Sequence, residues 1–596
     1  MKTTLIELGL ASALLAGGGA LAANAPPAPT PRPNIVVLVA DDWGYTDVGA
    51  FGGEIATPNL DELARRGVRF SNFHVAASCS PTRAMLLTGV DNHRNGHGNL
   101  RETMPGAHLG QPGYQATLTP NVVTVATLLQ AGGYRTSVAG KWNVGNEARN
   151  LPNQRGFDRS FIMGDTGSDN WEPEKRYLPH AAKVHWFEDG QAPAMPKQFY
   201  SSTFFVDKTI EYLREGAASG KPFFAYVGFQ ANHVPVQAPQ AFIDKYKGRY
   251  DSGWTALREA RRAKAIELGL VPKTTAMVTM GTTLDWTALS PQDKQYQARL
   301  MEVYAAMADA MDHEVGRLIA HLKSTGEYDN TVFVFLSDNG PEGSDYKEAD
   351  LWLRFNYSRD LDRLGGPGAY VVPGPSWSSA SASPLSTFKF YAGEGGIRSP
   401  MIISGMGVAA ANQIHAGLAH VTDIVPTLLD LAQVQRPGTT YQGQPIEAQT
   451  GRSLLPVLAD PSARVRRSDE ALGYELAGNK ALFKGDLKLV LNNPPVGDGQ
   501  WHLYDLRADP GETKDLQTAL PAQFAAMQAD YDAWARANGV LPMPAGYNPV
   551  RQVLINSFVN YWIPTYWPHG VVALLVLLGV PAVLLVRARR RRGAPR

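Results

Sequence analysis

The chain alternates short, continuous apolar runs with longer segments in which apolar residues recur every three or four positions. The first run, Asn34–Ala40, is rich in β-branched residues and has no polar alternation, which is typical of a central parallel strand buried on both faces. Thr57 and Pro58 then predict a helix that runs to Gly67, because threonine caps a helix and proline suits its first turn. The pattern continues with strands predicted at 134–139, 222–229, 331–336 and 401–404 and helices at 120–130, 206–215, 291–324 and 423–432. This order predicts an α/β fold with a large, mostly parallel sheet flanked by helices.

The pattern changes after Asp460-Pro-Ser. Beyond this break the sequence predicts hairpin strands at 482–492 and 501–506 and a helix at 521–538. We therefore expect a main domain at 33–466, followed by a small C-terminal α+β subdomain, 467–548, with an antiparallel sheet.

The N-terminus has the features of a secretory signal. Lys2 precedes an apolar stretch, Leu8–Ala22, which closes on the small residues of an Ala-Leu-Ala sequence. A proline-rich segment follows at once, which does not suit the continuation of a core helix. We expect a signal peptide at 1–25 and a proline-rich linker at 26–32.

The C-terminus predicts a membrane anchor. Residues 570–586 carry no charge and are just long enough to span a bilayer as a helix. The segment before them, 549–569, contains the interfacial aromatic residues Tyr561, Trp562, Tyr566 and Trp567. The arginine-rich tail, 587–596, should remain cytoplasmic by the positive-inside rule, whereas a buried C-terminal helix would explain neither the aromatic residues nor the arginines. This predicts a single-pass C-terminal anchor in the cell (inner) membrane, with the main domain extracytoplasmic, or periplasmic in a bacterium.

Composition excludes several classes of protein. Hydrophobic residues make up 44% of the 596 residues and charged residues 19%, which excludes wholesale disorder. The net charge of +1 argues against a nucleic-acid-binding surface. Cys79 is the one cysteine of the sequence, so no intramolecular disulfide can form, and no cysteine near the start could carry a lipoprotein anchor.

Acidic and amide side chains follow two of the predicted strands. Asp41 and Asp42 come directly after the first strand, and Asp338 and Asn339 come after the strand at 331–336. Ligands bind at the carboxyl ends of strands in open α/β sheets, and oxygen-rich clusters suit Ca²⁺ or Mg²⁺. Each pair alone is weak support, because aspartate after a strand is commonly a helix cap or a turn residue.

Cys79 leads into a short helical run that ends at Gly89. It is therefore expected at a helix N-terminus, where the backbone N–H groups favour negative charge, with Arg83 one turn further on. The residues alone leave two interpretations open, a buried structural cysteine and a thiolate nucleophile.

The sequence Cys79-Ser-Pro-Thr-Arg83 resembles the signature of the type I sulfatases, which belong to the alkaline-phosphatase-like superfamily. The resemblance covers about residues 33–520, and the segments around Gly113-Tyr114 and at 246–270 look most like bacterial arylsulfatases. Further stretches match in the family's order: Ala40-Asp41-Asp42, Gly140-Lys141-Trp142, Asn232-His233-Val234-Pro235, Asp338-Asn339-Gly340, and Lys389 with Glu394–Pro400.

The resemblance implies a membrane-tethered extracytoplasmic hydrolase of sulfate esters, arylsulfatase-like, with 33–466 as its catalytic domain. In this family the cysteine, here Cys79, is oxidised to formylglycine (3-oxoalanine) by a formylglycine-generating enzyme, and its hydrate attacks the sulfur atom. The cation, most often Ca²⁺ with Mg²⁺ as the alternative, would be held by Asp41, Asp42, Asp338 and Asn339 and faced by modified Cys79. The catalytic set implied by similarity is completed by Arg83, which would hold the formylglycine, and by Lys141, His233 and Lys389 around the sulfate.

One position departs from the family pattern. The family usually reads Gly-Lys-Trp-His-Leu-Gly, and this chain has Asn143 in place of the histidine. Asparagine can hydrogen bond but cannot act as a base, and His93, His97 and His108 are substitutes by sequence proximity only. Two alternatives therefore stay open: a phosphate mono- or diester hydrolase on the same fold, and a low-activity or non-catalytic binding protein.

Two segments expected to set specificity, 98–116 and 346–384, contain no interpretable motif. Within the second, residues 365–383 are rich in Gly, Pro and Ser and predict a surface loop. The natural substrate is therefore not predicted.

Overall fold

The computed structural model describes residues 32–179 and 184–592. The predicted signal peptide, 1–25, lies outside the described residues, as do nearly all of the linker and the last four residues of the basic tail.

Seventeen strands occur in the described part of the chain. In order they are β1 Asn34–Ala40, β2 Gly67–Phe70, β3 Phe73–His74, β4 Arg135–Lys141, β5 Arg159–Met163, β6 Trp186–Glu188, β7 Phe223–Gly228, β8 Thr331–Ser337, β9 Met401–Gly405, β10 Gln413–His415, β11 Ala419–His420, β12 Thr440–Tyr441, β13 Gln444–Pro445, β14 Ala471–Leu476, β15 Asn479–Lys484, β16 Leu487–Leu491 and β17 Trp501–Asp505.

Sixteen α-helices accompany them in the same residues. They are α1 Pro58–Arg65, α2 Cys79–Thr88, α3 Asn92–Asn95, α4 Val125–Ala131, α5 Ser201–Gly216, α6 Gln240–Ile243, α7 Gly253–Glu267, α8 Pro291–Ser324, α9 Asp350–Asn356, α10 Gly374–Ala382, α11 Glu394–Ile397, α12 Ile424–Leu431, α13 Leu455–Ala459, α14 Pro521–Asn538, α15 Pro549–Ser557 and α16 Ile563–Arg592.

The main sheet has nine strands in the order β10-β2-β9-β8-β1-β7-β4-β5-β6. Its centre is parallel: β1 pairs with β7 and β8, and β4 pairs with β5 and β7. β9 is antiparallel to both of its neighbours, and the edge strand β6 is antiparallel to β5. The predicted mostly parallel sheet is confirmed.

Strand β1 explains why a continuous apolar run is needed at the centre of the sheet. Val36, Leu38 and Ala40 point into the core on one face, and Ile35, Val37 and Val39 point into the core on the other. Because successive side chains of a strand alternate between faces, both sets must be apolar when helices cover both faces. β1 therefore lies in the middle of the molecule, and its carboxyl end carries Asp41 and Asp42.

The C-terminal subdomain is built on a four-stranded antiparallel sheet, β14-β15-β16-β17, with helix α14 packed against it. The apolar residues that join sheet and helix include Leu482, Leu489, Met527 and Tyr531. The predicted helix at 521–538 has the observed bounds, whereas β14 was not predicted from the sequence.

The prediction of a surface loop at 365–383 is wrong. Residues Gly374–Ala382 form helix α10, and every residue of it except Pro375 is buried. Its small serine and alanine side chains allow close packing: a Cβ atom on Gly44 would lie 2.1 Å from the carbonyl oxygen of Ser381. Trp377 anchors the helix through edge-on contacts with two further tryptophans.

The helix predicted at 120–130 begins later than predicted, at Val125, because Thr124 caps it.

The C-terminus forms a long helical extension. A single π-helical turn, Phe558–Trp562, joins α15 to α16. Within the described residues, one helical stretch, Pro549–Ala588, is long and apolar enough to cross a membrane, with a mean hydropathy of 2.6 in its most apolar part.

Candidate active site

The predicted site residues converge at the carboxyl edge of the central strands. Asp41 and Asp42 follow β1, and Asp338 and Asn339 follow β8, its neighbour in the sheet. Lys141 is the last residue of β4. All five side chains are buried, so the sheet brings together charged groups that are more than 290 residues apart in the chain.

Backbone geometry turns the two neighbouring aspartates in different directions. Asp42 has a φ of +62°, a left-handed conformation that aspartate tolerates better than β-branched residues do. Its N–H group donates to Oδ1 of Asp338 over 3.4 Å. The turn after β1 therefore directs both carboxylates towards the end of β8.

Four side chains form a compact ligand cluster. One ligand atom from each of Asp41, Asp42, Cys79 and Asp338 lies within 4.8 Å of the others. Asn339 joins them, because its Nδ2 donates to Oδ1 of Asp42 over 2.6 Å. Its Oδ1 is buried and accepts no hydrogen bond from any residue that the structure describes. Carboxylate oxygens with an unsatisfied amide oxygen are a suitable donor set for a hard divalent cation.

Each of the three carboxylates also contacts a cationic side chain at 2.7 Å or less. Lys141 Nζ lies 2.6 Å from Oδ2 of Asp41, and Lys389 Nζ lies 2.7 Å from Oδ1 of Asp42. The third pair joins Arg83 and Asp338 at 2.7 Å, and a second guanidinium nitrogen of Arg83 donates to the carbonyl oxygen of Lys141. The site therefore holds three buried carboxylates together with three buried cationic side chains.

The crowding of charges shifts the carboxyl pKa values in opposite directions. Burial would raise the pKa of Asp42, but the positive charges of Lys389 and Lys141 lower it to about 2. Burial and the negative charge of Asp41 raise the pKa of Asp338 to about 6. Asp42 is therefore held in its ionised form more firmly than Asp338.

Cys79 is the first residue of α2, as its sequence predicted, and it is only 2% exposed. Its Sγ donates to Oδ1 of Asp41 over 3.4 Å. Burial and the negative charge of Asp338 raise the pKa of the thiol well above its ordinary value. Since the thiolate is the nucleophilic form, this environment disfavours an unmodified cysteine nucleophile.

His233 lies in the loop after β7. One of its ring nitrogens lies within 4.8 Å of ligand atoms of Asp41 and Cys79. Nδ1 is 2.8 Å from the carbonyl oxygen of Val234, so it carries the proton that this hydrogen bond requires. Burial, followed by the charges of Lys141 and Lys389, lowers the pKa of His233 well below its ordinary value. The ring is therefore neutral, with Nε2 free to accept a proton.

Asn143 lies two residues beyond Lys141. It has a φ of +53°, and its Nδ2 is buried without an acceptor among the described residues. This unsatisfied donor is consistent with a hydrogen bond to a group absent from the protein alone.

The three histidines near the motif in sequence have other surroundings. His93 lies between Asp91 and Glu475, and His108 contacts the carbonyl oxygen of Pro542. His97 is buried, and burial lowers its pKa to about 4. His93 and His108 are thus held by contacts with other residues.

Two residues around the site were not predicted from the sequence. Glu342 is buried with an oxygen 3.3 Å from Nζ of Lys389, and the ring of Tyr177 packs edge-on against His233 at 6.2 Å between centroids. Glu342 follows the Asp338-Asn339-Gly340 stretch by two residues. This closeness to a matched motif is the sequence feature that could have identified it as a site residue. Tyr177 has no comparable signal, because it belongs to a separate loop.

Comparison with known proteins identifies the family. The sulfatase family model matches residues 33–434. An uncharacterised sulfatase of Schizosaccharomyces pombe is 37% identical over 507 residues, which cover 82% of this chain and 91% of the relative. An arylsulfatase of Klebsiella aerogenes is 34% identical over 468 residues, 77% of this chain and 98% of the relative.

Solved structures share the fold at lower identity. Ps i-CgsB, crystallised with a neocarrahexaose, superposes with a TM-score of 0.62 at 21% identity and covers 90% of this chain and 99% of its own. A sulfatase from Pseudoalteromonas sp. gives a TM-score of 0.56 at 22% identity, with 86% and 92% covered. With the extent of the sequence matches, these findings show that the chain belongs to the sulfatase family and is a sulfuric ester hydrolase.

Proposed function

We propose that this protein is an arylsulfatase-like enzyme, tethered to the membrane by α16 with its catalytic domain outside the cytoplasm. In this proposal formylglycine derived from Cys79 and a divalent cation, Ca²⁺ or Mg²⁺, complete the active site. The observation that carries the proposal is the cluster of Asp41, Asp42, Cys79 and Asp338. The similarity to a protein named arylsulfatase supports the class of substrate.

The cation would be held by Asp41, Asp42, Asp338 and Asn339, which present carboxylate oxygens and an unsatisfied amide oxygen. When bound, it supplies a Lewis acid and neutralises charge on the sulfate oxygens. Oxidation of Cys79 supplies an aldehyde whose hydrate carries the attacking hydroxyl.

The protein's own cations provide the remaining binding site for the substrate. Lys141 and Lys389 are buried against Asp41 and Asp42, and burial strengthens their attraction to sulfate oxygens. Arg83 fixes Asp338 and the backbone at Lys141, and so orients both a ligand and a sulfate-binding residue.

His233 serves as the proton-transfer group in this proposal. Its Nδ1–H is held by the carbonyl oxygen of Val234, which fixes the orientation of the ring. Nε2 then accepts the proton released by the attacking hydroxyl and passes it to the bridging oxygen of the ester as the bond from that oxygen to sulfur breaks.

Membrane attachment is supported by the length and apolar character of the C-terminal helix. Interfacial aromatic residues precede its apolar stretch and arginines follow it, which favours an extracytoplasmic catalytic domain. The signal peptide predicted at 1–25 agrees with this orientation.

The direct test is coexpression with a formylglycine-generating enzyme, followed by peptide mass spectrometry and an assay with an aryl sulfate. We expect an aldehyde at residue 79 and hydrolysis that depends on it. The Cys79→Ala variant should fold and lose almost all activity. A free thiol after coexpression, or equal activity in the variant, would contradict the proposal. A matched aryl phosphate assay distinguishes the phosphate alternative.

A further inference from the structure

The beginning of the C-terminal helix is bound to the catalytic domain. Nδ2 of Asn556 donates to the carbonyl oxygens of Arg101, Glu102 and Met104 at distances of 2.9 to 3.2 Å. Five residues later, the ring of Tyr561 lies 4.6 Å from the guanidinium carbon of Arg176. These two attachments prevent the catalytic domain from turning freely on its tether.

The Tyr561 attachment lies beside the active site. Arg176 immediately precedes Tyr177, whose ring packs against His233. The helix that leads to the membrane therefore begins at the rim of the catalytic site.

Helix α9 extends the same rim. The ring of Trp352 lies 5.6 Å from the guanidinium carbon of Arg176, so that this arginine contacts both α9 and Tyr561. The segment before α9 leads back to the site through Glu342, which contacts Lys389. α9 is therefore next to the tether, and Arg176 connects it to the segment that packs Tyr177 against His233.

The outer face of α9 is apolar and exposed. Leu351 is 70% exposed and Phe355 is 82% exposed. They are four residues apart, so they lie on the same face of the helix. A cavity of about 460 Å³ beside Phe355 is lined by three basic residues, Lys175, Arg354 and Arg363, and by Glu172, which pairs with Lys175 at 2.7 Å. The lining carries a net positive charge, which suits anionic lipid headgroups.

The position of the membrane along α16 places this face at the bilayer surface. A hydrocarbon core of about 30 Å requires about 20 helical residues, which counted back from Arg587 begin near Trp567. Tyr561 precedes Trp567 by six residues, or about 9 Å, which corresponds to the headgroup region. Arg176 contacts Tyr561 at this level and links it to Trp352 of α9.

We propose that α9 docks on the extracytoplasmic leaflet, with Leu351 and Phe355 inserted at the boundary of headgroups and acyl chains. The mouth of the active site then faces the membrane surface, and the substrate class is amphiphilic sulfate esters held in the bilayer. This inference rests on the proposed tether and sulfatase activity.

Site-specific fluorescence tests the docking without reference to activity. Because Cys79 is buried and no other cysteine is present, Phe355→Cys in the full chain offers a single accessible thiol for an environment-sensitive fluorophore. Ser219→Cys is the matched control: this exposed residue precedes β7 and so lies at the sheet edge opposite the active site. Both proteins are reconstituted into phosphatidylcholine vesicles that contain anionic lipid and acyl-chain quenchers.

We expect the label at residue 355 to be quenched and the label at residue 219 to remain bright. Flotation of the vesicles with the protein tests the tether separately. Protein that floats but shows no quenching at residue 355 overturns the docking alone, whereas protein that does not float overturns both the tether and the docking.

Kinetics test the inferred substrate class. In the full chain, Leu351→Ser combined with Phe355→Ser should lower kcat/KM on a sterol sulfate in vesicles by about tenfold, because partition of this face into the interface is lost. Its kcat/KM on 4-nitrophenyl sulfate should be unchanged. Leu284→Ser, at another exposed leucine, is the matched control and should alter neither. An equal loss of kcat/KM on both substrates in the double variant, or no loss on the vesicle substrate, overturns the inference. A wild-type protein that is inactive on both substrates refutes the sulfatase proposal instead.

Discussion

Lys488 of the C-terminal sheet donates a 2.7 Å hydrogen bond to Glu394, which lies five residues after Lys389 of the active site. Both side chains are fully buried. Lys488 also contacts Glu512 at 2.8 Å, and Glu394 contacts His74. The C-terminal subdomain therefore supplies a cation that, together with Arg398, neutralises a buried carboxylate next to a proposed catalytic segment.

Replacing Lys488 should lower the stability of the protein. Lys488→Met leaves Glu394 and Glu512 buried without their shared partner, and we expect the free energy of unfolding to fall by about 3 to 5 kcal/mol. Lys484→Met removes a more exposed ion pair with Asp530 and should cost less than about 1 kcal/mol. Urea denaturation of both variants is the measurement. A similar small loss in the two proteins would show that the buried pair is not important for stability.

Metal binding should depend on the clustered carboxylates. Asp338→Asn and Asp42→Asn keep the size of the side chain but remove one negative charge. The affinity for Ca²⁺ should therefore fall by about tenfold to a hundredfold. Equilibrium dialysis with metal analysis measures this directly. Asp345→Asn, at an exposed ion pair, is the control and should bind as the wild type does. Unchanged occupancy in the cluster variants would mean that the ligands lie elsewhere.

Asn143→His should raise turnover of an aryl sulfate. The substituted imidazole can act as a base where asparagine only hydrogen bonds, and a single acid–base group is typically worth about 10²-fold. Asn143→Ala, which removes the unsatisfied Nδ2, separates hydrogen bonding from proton transfer. If neither substitution changed kcat, Asn143 would have no part in the reaction.

His93 should make the stability of the protein depend on pH. Burial alone would lower its pKa, but the hydrogen bonds to Asp91 and Glu475 raise it to about 9. A folded-state pKa above the unfolded value of about 6.5 gives stabilisation that is complete below pH 6.5 and is lost as the pH rises through 9. The loss should be at most about 3 kcal/mol.

The check for His93 is urea denaturation of the wild type and His93→Gln between pH 6 and pH 9.5. The difference in unfolding free energy between the two proteins should shrink as the pH rises, while contributions from other groups cancel. A difference that stayed constant would show that His93 is not protonated in the folded protein.

The sequence predicted those parts of the fold that rest on local patterns. Strand β1 was found because both of its faces are apolar, and α8 was predicted with its observed bounds from its long helical pattern; in the structure Ser290 caps it. Helix α10 was missed, since its glycine, proline and serine content is typical of loops and only the packing around Trp377 makes it helical. The amino-acid composition of this segment does not reveal a contact with residues distant in the sequence.

The candidate site was predicted from motifs, and the structure brings those residues together. Adjacent strands explain why Asp42 and Asp338 meet, because β1 and β8 are neighbours in the sheet. Glu342 and Tyr177 were missed, as was the pairing of Lys488 with Glu394. Their contacts depend on how loops and subdomains pack, which no pattern within one segment specifies.

The burial of α2 also sets the order of events in the life of the chain. All ten residues of this helix are buried, so a second enzyme cannot reach Cys79 once folding is complete. The proposed oxidation must therefore occur on the nascent or still unfolded polypeptide. Maturation becomes a competition between two rates, and a molecule that folds first is trapped with an inert thiol. The specific activity of a preparation would then report how slowly its chains folded while the modifying enzyme was present.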